Sequence, residues 1–239
     1  AFWTDSRKKF WYNPYASYNS SADDSWSASG GLWLETRPAT NVRLTFNPNY
    51  NKSHGEAQFV RAEADADPSA APTYNVRYVF ADLDQTTFVF ETRVEYTFTS
   101  RLSLQAYVQP FVAVGRYNQF KEFTTPGAYE FAEYGQDRGT ITPGTNASGQ
   151  SNYTVDPDGA GSAASFAFRN PNFNDHSLRG NAVLRWEYRP GSALFFVWQQ
   201  ERFGSQRDFS FDANRDVSAI FRERPTNVFM IKAAYWLSK

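Results

Sequence analysis

A period of two in side-chain polarity constrains this chain more than any other feature of its sequence. Between residues 86 and 115, TTFVFETRVEYTFTSRLSLQAYVQPFVAVG, apolar and polar side chains alternate far beyond the roughly five or six residues of an ordinary strand. The apolar row is Phe88, Phe90, Val94, Tyr96, Phe98, Leu102, Leu104, Ala106, Val108, Pro110, Val112 and Val114. The opposite row carries Glu91, Arg93 and Glu95, which a protein core would not accept without partners. The segment therefore predicts long strands with one apolar and one polar face.

The same alternation recurs along the chain, and helical periodicity is almost absent. It predicts ten strands, over residues 6–18, 25–37, 41–52, 56–65, 73–82, 85–99, 101–118, 175–189, 192–204 and 226–238. The connections TRPAT, FTSRL and YRPGS, after the second, sixth and eighth strands, are short and rich in turn residues. Those over 119–174 and 205–225 are long. This parity predicts an up-and-down arrangement with both termini at the end of the short turns; only ADADPSAAP, after the fourth strand, is too long for the rule.

Strands of this kind are better suited to a lipid bilayer than to an aqueous environment. No run approaches the roughly 20 apolar residues of a membrane helix, but a spanning strand needs only alternate apolar residues over about ten positions. We therefore predict an all-β fold, an antiparallel up-and-down transmembrane β-barrel of about ten strands with long extracellular loops. A soluble ligand-binding β-barrel or a sandwich, with the charged face in water, is the alternative.

The two faces carry separate predictions. The residues expected to face lipid are Phe88, Phe90, Tyr96, Phe98, Leu102, Leu104, Trp186 and Tyr188, with Tyr96, Phe98, Trp186 and Tyr188 in an aromatic girdle on the periplasmic side. The charged network expected in the lumen is Arg43, Arg77, Glu91, Arg93, Glu95, Arg179, Arg185, Glu187 and Lys232. Because both signs are present, we expect the row 91–95 to pair with Arg179, Arg185 and Glu187 and to occlude a narrow lumen.

Parts of the sequence also resemble a known family. The segments 78–123 and 168–202 and the closing NVFMIKAAYWLSK are similar to the C-terminal region of a bacterial family of unknown function. Its full-length members join an N-terminal carbohydrate-binding module, of the family-9-like type, to a long C-terminal β-barrel region. The resemblance implies an outer-membrane barrel, formed as one domain by residues 1–239 or as the C-terminal part of a longer chain, and it brings no catalytic residues. The chain departs from many such barrels, which end on an aromatic residue, because it continues past Trp236.

Residues that could carry chemistry are sparse. The two histidines, His54 and His176, lie near predicted strand ends, and the pair Asp175–His176 points to opposite faces of a strand. DPDGAGS (156–162) and DANRD (212–216) hint at calcium loops but read better as turns, since neither fits the twelve-position pattern. The sequence thus predicts no catalytic residue, no metal site and no cofactor. The long loop contributes aromatic side chains that either contact a ligand such as a sugar or are buried by the loop itself: Tyr129, Phe131, Tyr134 and Tyr153.

Composition excludes some functions. The net charge is −1, which argues against a nucleic-acid partner, and the absence of cysteine excludes disulfides and thiolate metal sites. The strand pattern and the resemblance, together with the lack of a catalytic constellation, lead us to expect a non-enzymatic protein of the bacterial outer membrane, an anchor or a transport or binding domain of unknown substrate. Its expected partners are membrane lipid and either carbohydrate or another outer-membrane protein. An outer-membrane enzyme with a site at its extracellular rim is the competing function.

Overall fold

The structure, a computed structural model, describes residues 8–125 and 127–237 of the chain. These residues form twelve strands, a short 3₁₀ helix over Pro68–Thr73 and one α-helix. The long strands are β1 (Phe10–Ser20), β2 (Trp26–Ala39), β3 (Val42–Ala64), β4 (Val76–Thr99), β5 (Leu102–Phe123), β10 (Phe173–Arg189), β11 (Ser192–Ser205) and β12 (Thr226–Ala234). The short ones are β6 (Phe131–Glu133), β7 (Thr140–Thr145), β8 (Ser151–Asp156) and β9 (Phe166–Arg169), and the helix is α1 (Ala213–Arg222). No helix in the described ranges is long and apolar enough to cross a membrane.

The eight long strands form one antiparallel sheet in the order β1-β2-β3-β4-β5-β10-β11-β12, with β6 added beside β5. Every strand therefore pairs with its neighbour along the chain, except that β5 meets β10 after an excursion through β6–β9. The predicted all-β, antiparallel, up-and-down arrangement is confirmed. In the described part of the chain the strand order is open, with β1 at one edge and β12 at the other.

The predicted count of ten long strands is wrong. The strands predicted at 41–52 and 56–65 merge into a single strand, β3 (Val42–Ala64), and those predicted at 73–82 and 85–99 merge into β4 (Val76–Thr99). The register of β3 against β4 shifts between Gly55 and Gln58, so a β-bulge stands where the sequence indicated a turn. Residues 6–7 of the first predicted strand and 238 of the last lie outside the described residues.

Because these predicted strands merge, short and long connections now alternate along the sheet without exception. The connections at residues 40–41, 100–101 and 190–191 have two residues each and lie at one end of the sheet, here called the turn end. The connections at 21–25, 65–75, 124–172 and 206–225 all lie at the other end, the loop end. The segment ADADPSAAP lies at the loop end, where connections of any length are compatible with the arrangement. Phe10 and Ala234, the outer limits of the first and last strands, both lie at the turn end.

The long excursion between β5 and β10 builds a second layer at the loop end. Strands β7, β8 and β9 form a three-stranded antiparallel sheet. Val155 and Phe168 of this sheet pack with Val79 of β4 and Phe120 of β5 in a buried cluster. This core covers one face of the far ends of β4 and β5, which together with the 23-residue β3 extend beyond the other strands at the loop end.

The helix α1 lies against the other face at the loop end. Ile220 is fully buried in a cluster with Val112 and Val114 of β5 and Leu178 of β10. Asp212 begins the helix as its N-cap, since its side chain accepts a hydrogen bond from the backbone N–H of Arg215.

Candidate functional site

The register of the sheet places side chains of one kind on one face across all eight long strands. Residues directly opposite each other in an antiparallel pair share a face. Leu44 is opposite Val94, Val94 is opposite Ala106, and Ala106 is opposite Ala182. The alternation that the sequence shows strand by strand is therefore in phase from β1 to β12, so that each face is continuous.

One face carries a broad surface that we call the apolar band. Its members are Tyr12, Pro14, Ala16, Tyr18, Ala28, Gly30, Leu32, Leu34, Val42, Leu44, Phe46, Pro48, Phe90, Thr92, Val94, Tyr96, Leu102, Leu104, Ala106, Val108, Pro110, Gly180, Ala182, Leu184, Trp186, Leu194, Phe196, Trp198, Phe229, Ile231 and Ala233. None of them is buried. Phe229 is 76% exposed and Ile231 is 72% exposed. Large contiguous apolar surfaces of this kind are rare on soluble monomers and mark an interaction with lipid or with another protein.

Different structures border the band at its two ends. At the turn end, the ring centroids of Tyr96 and Phe98 are 4.2 Å apart and those of Trp186 and Tyr188 are 6.2 Å apart, so the four residues predicted for a girdle form two ring pairs, one on β4 and one on β10. At the loop end, α1 and the segment before it cover the apolar face. Phe88, which we expected to face lipid, packs instead against the α1 cluster.

The opposite face of the sheet, here called the polar face, holds the residues predicted for a charged lumen. Arg43 is opposite Glu95, and Lys232 is opposite Phe195, which is opposite Arg185. The remaining members lie in the same alternate positions of β4 and β10: Arg77, Glu91, Arg93, Arg179 and Glu187. Most are open to solvent, with the side chains of Arg93 and Arg179 57% and 70% exposed.

The pairing predicted between the row 91–95 and β10 is not found in the described residues. Arg43 Nη1 lies 3.4 Å from Glu95 Oε2, and Arg93 Nη2 lies 3.9 Å from Glu91 Oε2. Arg179 contacts Glu201 at 3.3 Å and Arg185 contacts Glu187 at 2.8 Å. Strand β5 separates β4 from β10 by about 10 Å, two strand spacings, so each charge pairs with a nearer partner on its own or the adjacent strand.

Arg77 lies on the polar face but away from the open charges, in a buried network at the loop end. Its Nε lies 2.5 Å from Asp65 Oδ2, and its Nη1 donates to Glu122 Oε1 at 2.8 Å. Tyr134 donates its hydroxyl to Glu122 Oε2 at 2.7 Å, and Arg138 contacts the same carboxylate. Burial and then the Glu122 charge raise the pKa of Tyr134, so this phenol stays protonated. The network fixes the loop layer to the sheet.

The four loop aromatics divide between the two alternatives drawn from the sequence. Tyr134 is buried at 2% exposure, and Tyr153 packs against Phe120 at 4.7 Å. Phe131 stacks on Phe123 at 4.9 Å. Only Tyr129 is largely exposed, and its hydroxyl donates to Asp23 Oδ2 at 3.2 Å. The loop therefore buries most of its own rings.

Between the apolar band and the loop end, His54, Glu56 and Asp82 bring one potential ligand atom each within 4.8 Å of one another. The Lys121 ammonium already compensates these carboxylates, at 2.6 Å from Asp82 Oδ1 and 3.1 Å from Glu56 Oε1. His54 Nδ1 lies 2.9 Å from Asp84 Oδ1, and this hydrogen bond raises the pKa of the imidazole. Burial first, and then the charge of Glu56, raise the pKa of Asp82 despite the opposing effect of the Lys121 ammonium. The group is an internally compensated ion cluster in which Lys121 stands where a cation would bind.

The other sequence candidates have structural roles. His176 is buried, with its Nε2 3.2 Å from Glu223 Oε1. Within 156–162, Asp156 and Asp158 accept backbone N–H groups of Gly159 and Ala163, as turn residues do. The DANRD segment begins α1. The helix was missed from the sequence, although an aspartate N-cap followed by Val217, Ile220 and Phe221 at helical spacing is a usable signal.

Comparison with known proteins gives a family and no function. No curated protein and no solved structure matches the chain. A family model described as a domain of unknown function, DUF5916, matches residues 1–238. That description names neither a barrel nor a carbohydrate-binding module, so both remain predictions from the resemblance. Because the match covers almost the whole chain, the protein belongs to the DUF5916 family, whose function is not known.

Proposed function

We propose that this chain forms a transmembrane part of a β-barrel in the bacterial outer membrane and acts without catalysis, as an anchor or a transport domain. The observation that supports the proposal is the apolar band, in phase over eight strands and unburied throughout. A soluble protein would leave this surface in water, where each fully exposed large side chain forgoes roughly 1.5–3 kcal/mol of burial. Lipid removes that cost.

The dimensions of the band fit a bilayer. On β5 the band runs from Leu102 to Pro110, eight steps of about 3.4 Å along the strand. At a tilt of about 40° this gives a height of about 21 Å, close to the apolar belt of about 25 Å on outer-membrane barrels. The ring pairs at the turn end agree with an interfacial aromatic girdle, and short turns at that end agree with a periplasmic side.

A sheet in lipid cannot keep an open edge, because each unpaired backbone group there costs several kcal/mol. β12 pairs only with β11 in the described residues. It runs toward the turn end and β1 runs away from it, so an antiparallel closure through β1 or through added strands is allowed. The high exposure of Arg93 and Arg179 favours a wide interior, since an eight-stranded barrel is filled by its own side chains.

The test is the depth of single tryptophans in lipid. Trp198 lies on the apolar band, opposite Phe229, whereas Trp33 lies on the polar face, opposite Asn13. Two variants, each retaining one of these tryptophans and with the others replaced by phenylalanine, are refolded into vesicles with brominated acyl chains. We expect strong quenching of Trp198 fluorescence and weak quenching of Trp33.

Equal quenching of the two tryptophans, or a monodisperse detergent-free protein that does not float with the vesicles, would refute the membrane placement. Planar-bilayer recording then separates the two roles. Stable channels would favour transport through the polar interior, and silent bilayers would favour an anchor.

A further inference from the structure

A cavity of about 560 Å³ lies at the loop end of the sheet, outside the apolar band. Its walls come from the β7–β8 turn, the junction of β9 with β10, and the segment that follows β11. This volume is typical of sites for small ligands. The lining is mainly amide, hydroxyl and charged side chains, with Phe173 and Phe209 as its aromatic members.

Asn174, which lines the cavity, has a buried carbonyl oxygen that no described residue satisfies. Its side chain is fully buried. The Nδ2 group donates to the carbonyl oxygen of Asp208 at 2.7 Å and to Asp216 Oδ1 at 3.2 Å. Both partners only accept, so the amide cannot be flipped and Oδ1 is left without a donor. An unsatisfied buried acceptor of this kind is destabilising, and a ligand hydroxyl would supply the missing donor.

The orientation of Asn174 is enforced by a second buried side chain. Asp216 is fully buried and accepts from Arg215 Nε at 2.8 Å and from the backbone N–H of Asp212 at 2.8 Å. Asp216 has both of its oxygens engaged and holds the Asn174 amide in place. The site is therefore prepared before any ligand arrives.

Within the described part of the chain, Gln206 provides a second buried polar group without a hydrogen-bond partner. Its backbone N–H donates to the backbone carbonyl oxygen of Asn174 at 2.9 Å, and its side-chain Nε2 is buried without an acceptor among the described residues. As far as the structure describes it, the wall thus lacks one donor at Asn174 Oδ1, and a buried side-chain amide atom of Gln206 also lacks a partner. A hydroxyl group both donates and accepts hydrogen bonds, so the hydroxyls of a polyhydroxylated ligand can satisfy the side chains of both Asn174 and Gln206.

The charge of the lining selects among such ligands. Arg169 and Arg207 line the cavity and form no ion pair within the described residues, and Asp175 is the only acidic side chain of the lining. The two guanidinium groups and one carboxylate leave a net charge of +1. Guanidinium groups recognise carboxylates through paired, charge-assisted hydrogen bonds.

We propose that this cavity binds a small polyhydroxylated carboxylate, of the sugar-acid class, with its carboxylate at Arg169 and Arg207 and a hydroxyl at Asn174. The site lies beyond the membrane-facing surface, so it does not depend on the function proposed above.

The test is calorimetric titration of the folded, detergent-solubilised chain with D-glucuronate, with D-glucose and inorganic phosphate as comparison probes. Glucuronate should bind at least about tenfold more tightly than either, since glucose lacks the charge and phosphate lacks the carbon-bound hydroxyls. Arg207→Gln should weaken glucuronate binding about tenfold. Arg224→Gln, which removes an exposed arginine outside the lining, is the matched control and should leave it unchanged.

Arg207 is exposed and has no described partner, so its variant should fold normally, as the thermal unfolding midpoint will verify. The proposal fails if glucuronate does not bind at millimolar concentration, if glucose binds equally well, or if Arg207→Gln and Arg224→Gln have the same effect. Phosphate binding equal to that of glucuronate would reveal a general anion site and would also overturn it.

Discussion

Placing a charge at the centre of the apolar band tests the membrane assignment most directly. Ala106 is the middle band residue of β5, four steps from Leu102 and four from Pro110. With a rise of about 3.4 Å and a tilt of about 40°, it lies about 10 Å from either border. An arginine near the midplane of an outer-membrane barrel costs about 2–4 kcal/mol. We therefore expect Ala106→Arg to lower the free energy of unfolding by that amount.

The adjacent residue provides the control. Gln105 is exposed on the polar face and stands opposite Glu95, so Gln105→Arg introduces the same side chain beside a carboxylate. We expect a change within about 0.5 kcal/mol, as for an ordinary surface substitution. Both variants are measured by reversible urea unfolding in phospholipid vesicles. Equal effects of the two arginines would refute the assignment of the apolar face to lipid.

Three further predictions concern the loop end. Lys121→Met should lower the free energy of unfolding by about 3–5 kcal/mol because it leaves the buried Asp82 carboxylate uncompensated, and the double variant with Asp82→Asn should recover much of this loss in the same urea assay. Gly115→Ala should cost about 1–3 kcal/mol, since the added Cβ would meet the Phe173 ring at 2.2 Å; a wild-type urea midpoint would contradict this. Burial alone would raise the pKa of Asp216, but its hydrogen bonds lower it below 3.8, so its stabilisation is complete above that pH and is lost as the pH falls further. Asp216→Asn should therefore flatten the fall of the unfolding free energy with pH below about 3.8.

Several features of this protein follow from local sequence alone. The alternation within β4 and β5 sets which side chains share a face, because successive residues of a strand must point to opposite sides. The turns at 100–101 and 190–191 are also readable, since short connections leave the chain only an antiparallel neighbour to join. These two properties were sufficient to predict an all-β, up-and-down sheet in which Phe10 and Ala234, the outer limits of the first and last strands, lie at the same end.

Other features were decided only when strands met. Gly55 interrupts the pattern of β3 and reads as a chain reversal, but pairing with β4 converts it into a bulge within one strand. The row 91–95 contains charges of both signs, yet strand order alone determines which partners are within reach, and β5 lies between it and β10.

The cavity at the loop end depends on the tertiary structure most of all. Asn174 follows a loop of 49 residues after β5, and it acquires its fixed orientation only because α1 brings Asp216 beside it. The alternation of side chains and the turn propensities of residues depend on a few neighbouring positions. The hydrogen bonds of the Asn174 side chain, by contrast, join parts of the chain 34 and 42 residues apart. The sequence by itself thus determined the two faces of the sheet, and the packing of distant segments determined where a ligand could bind.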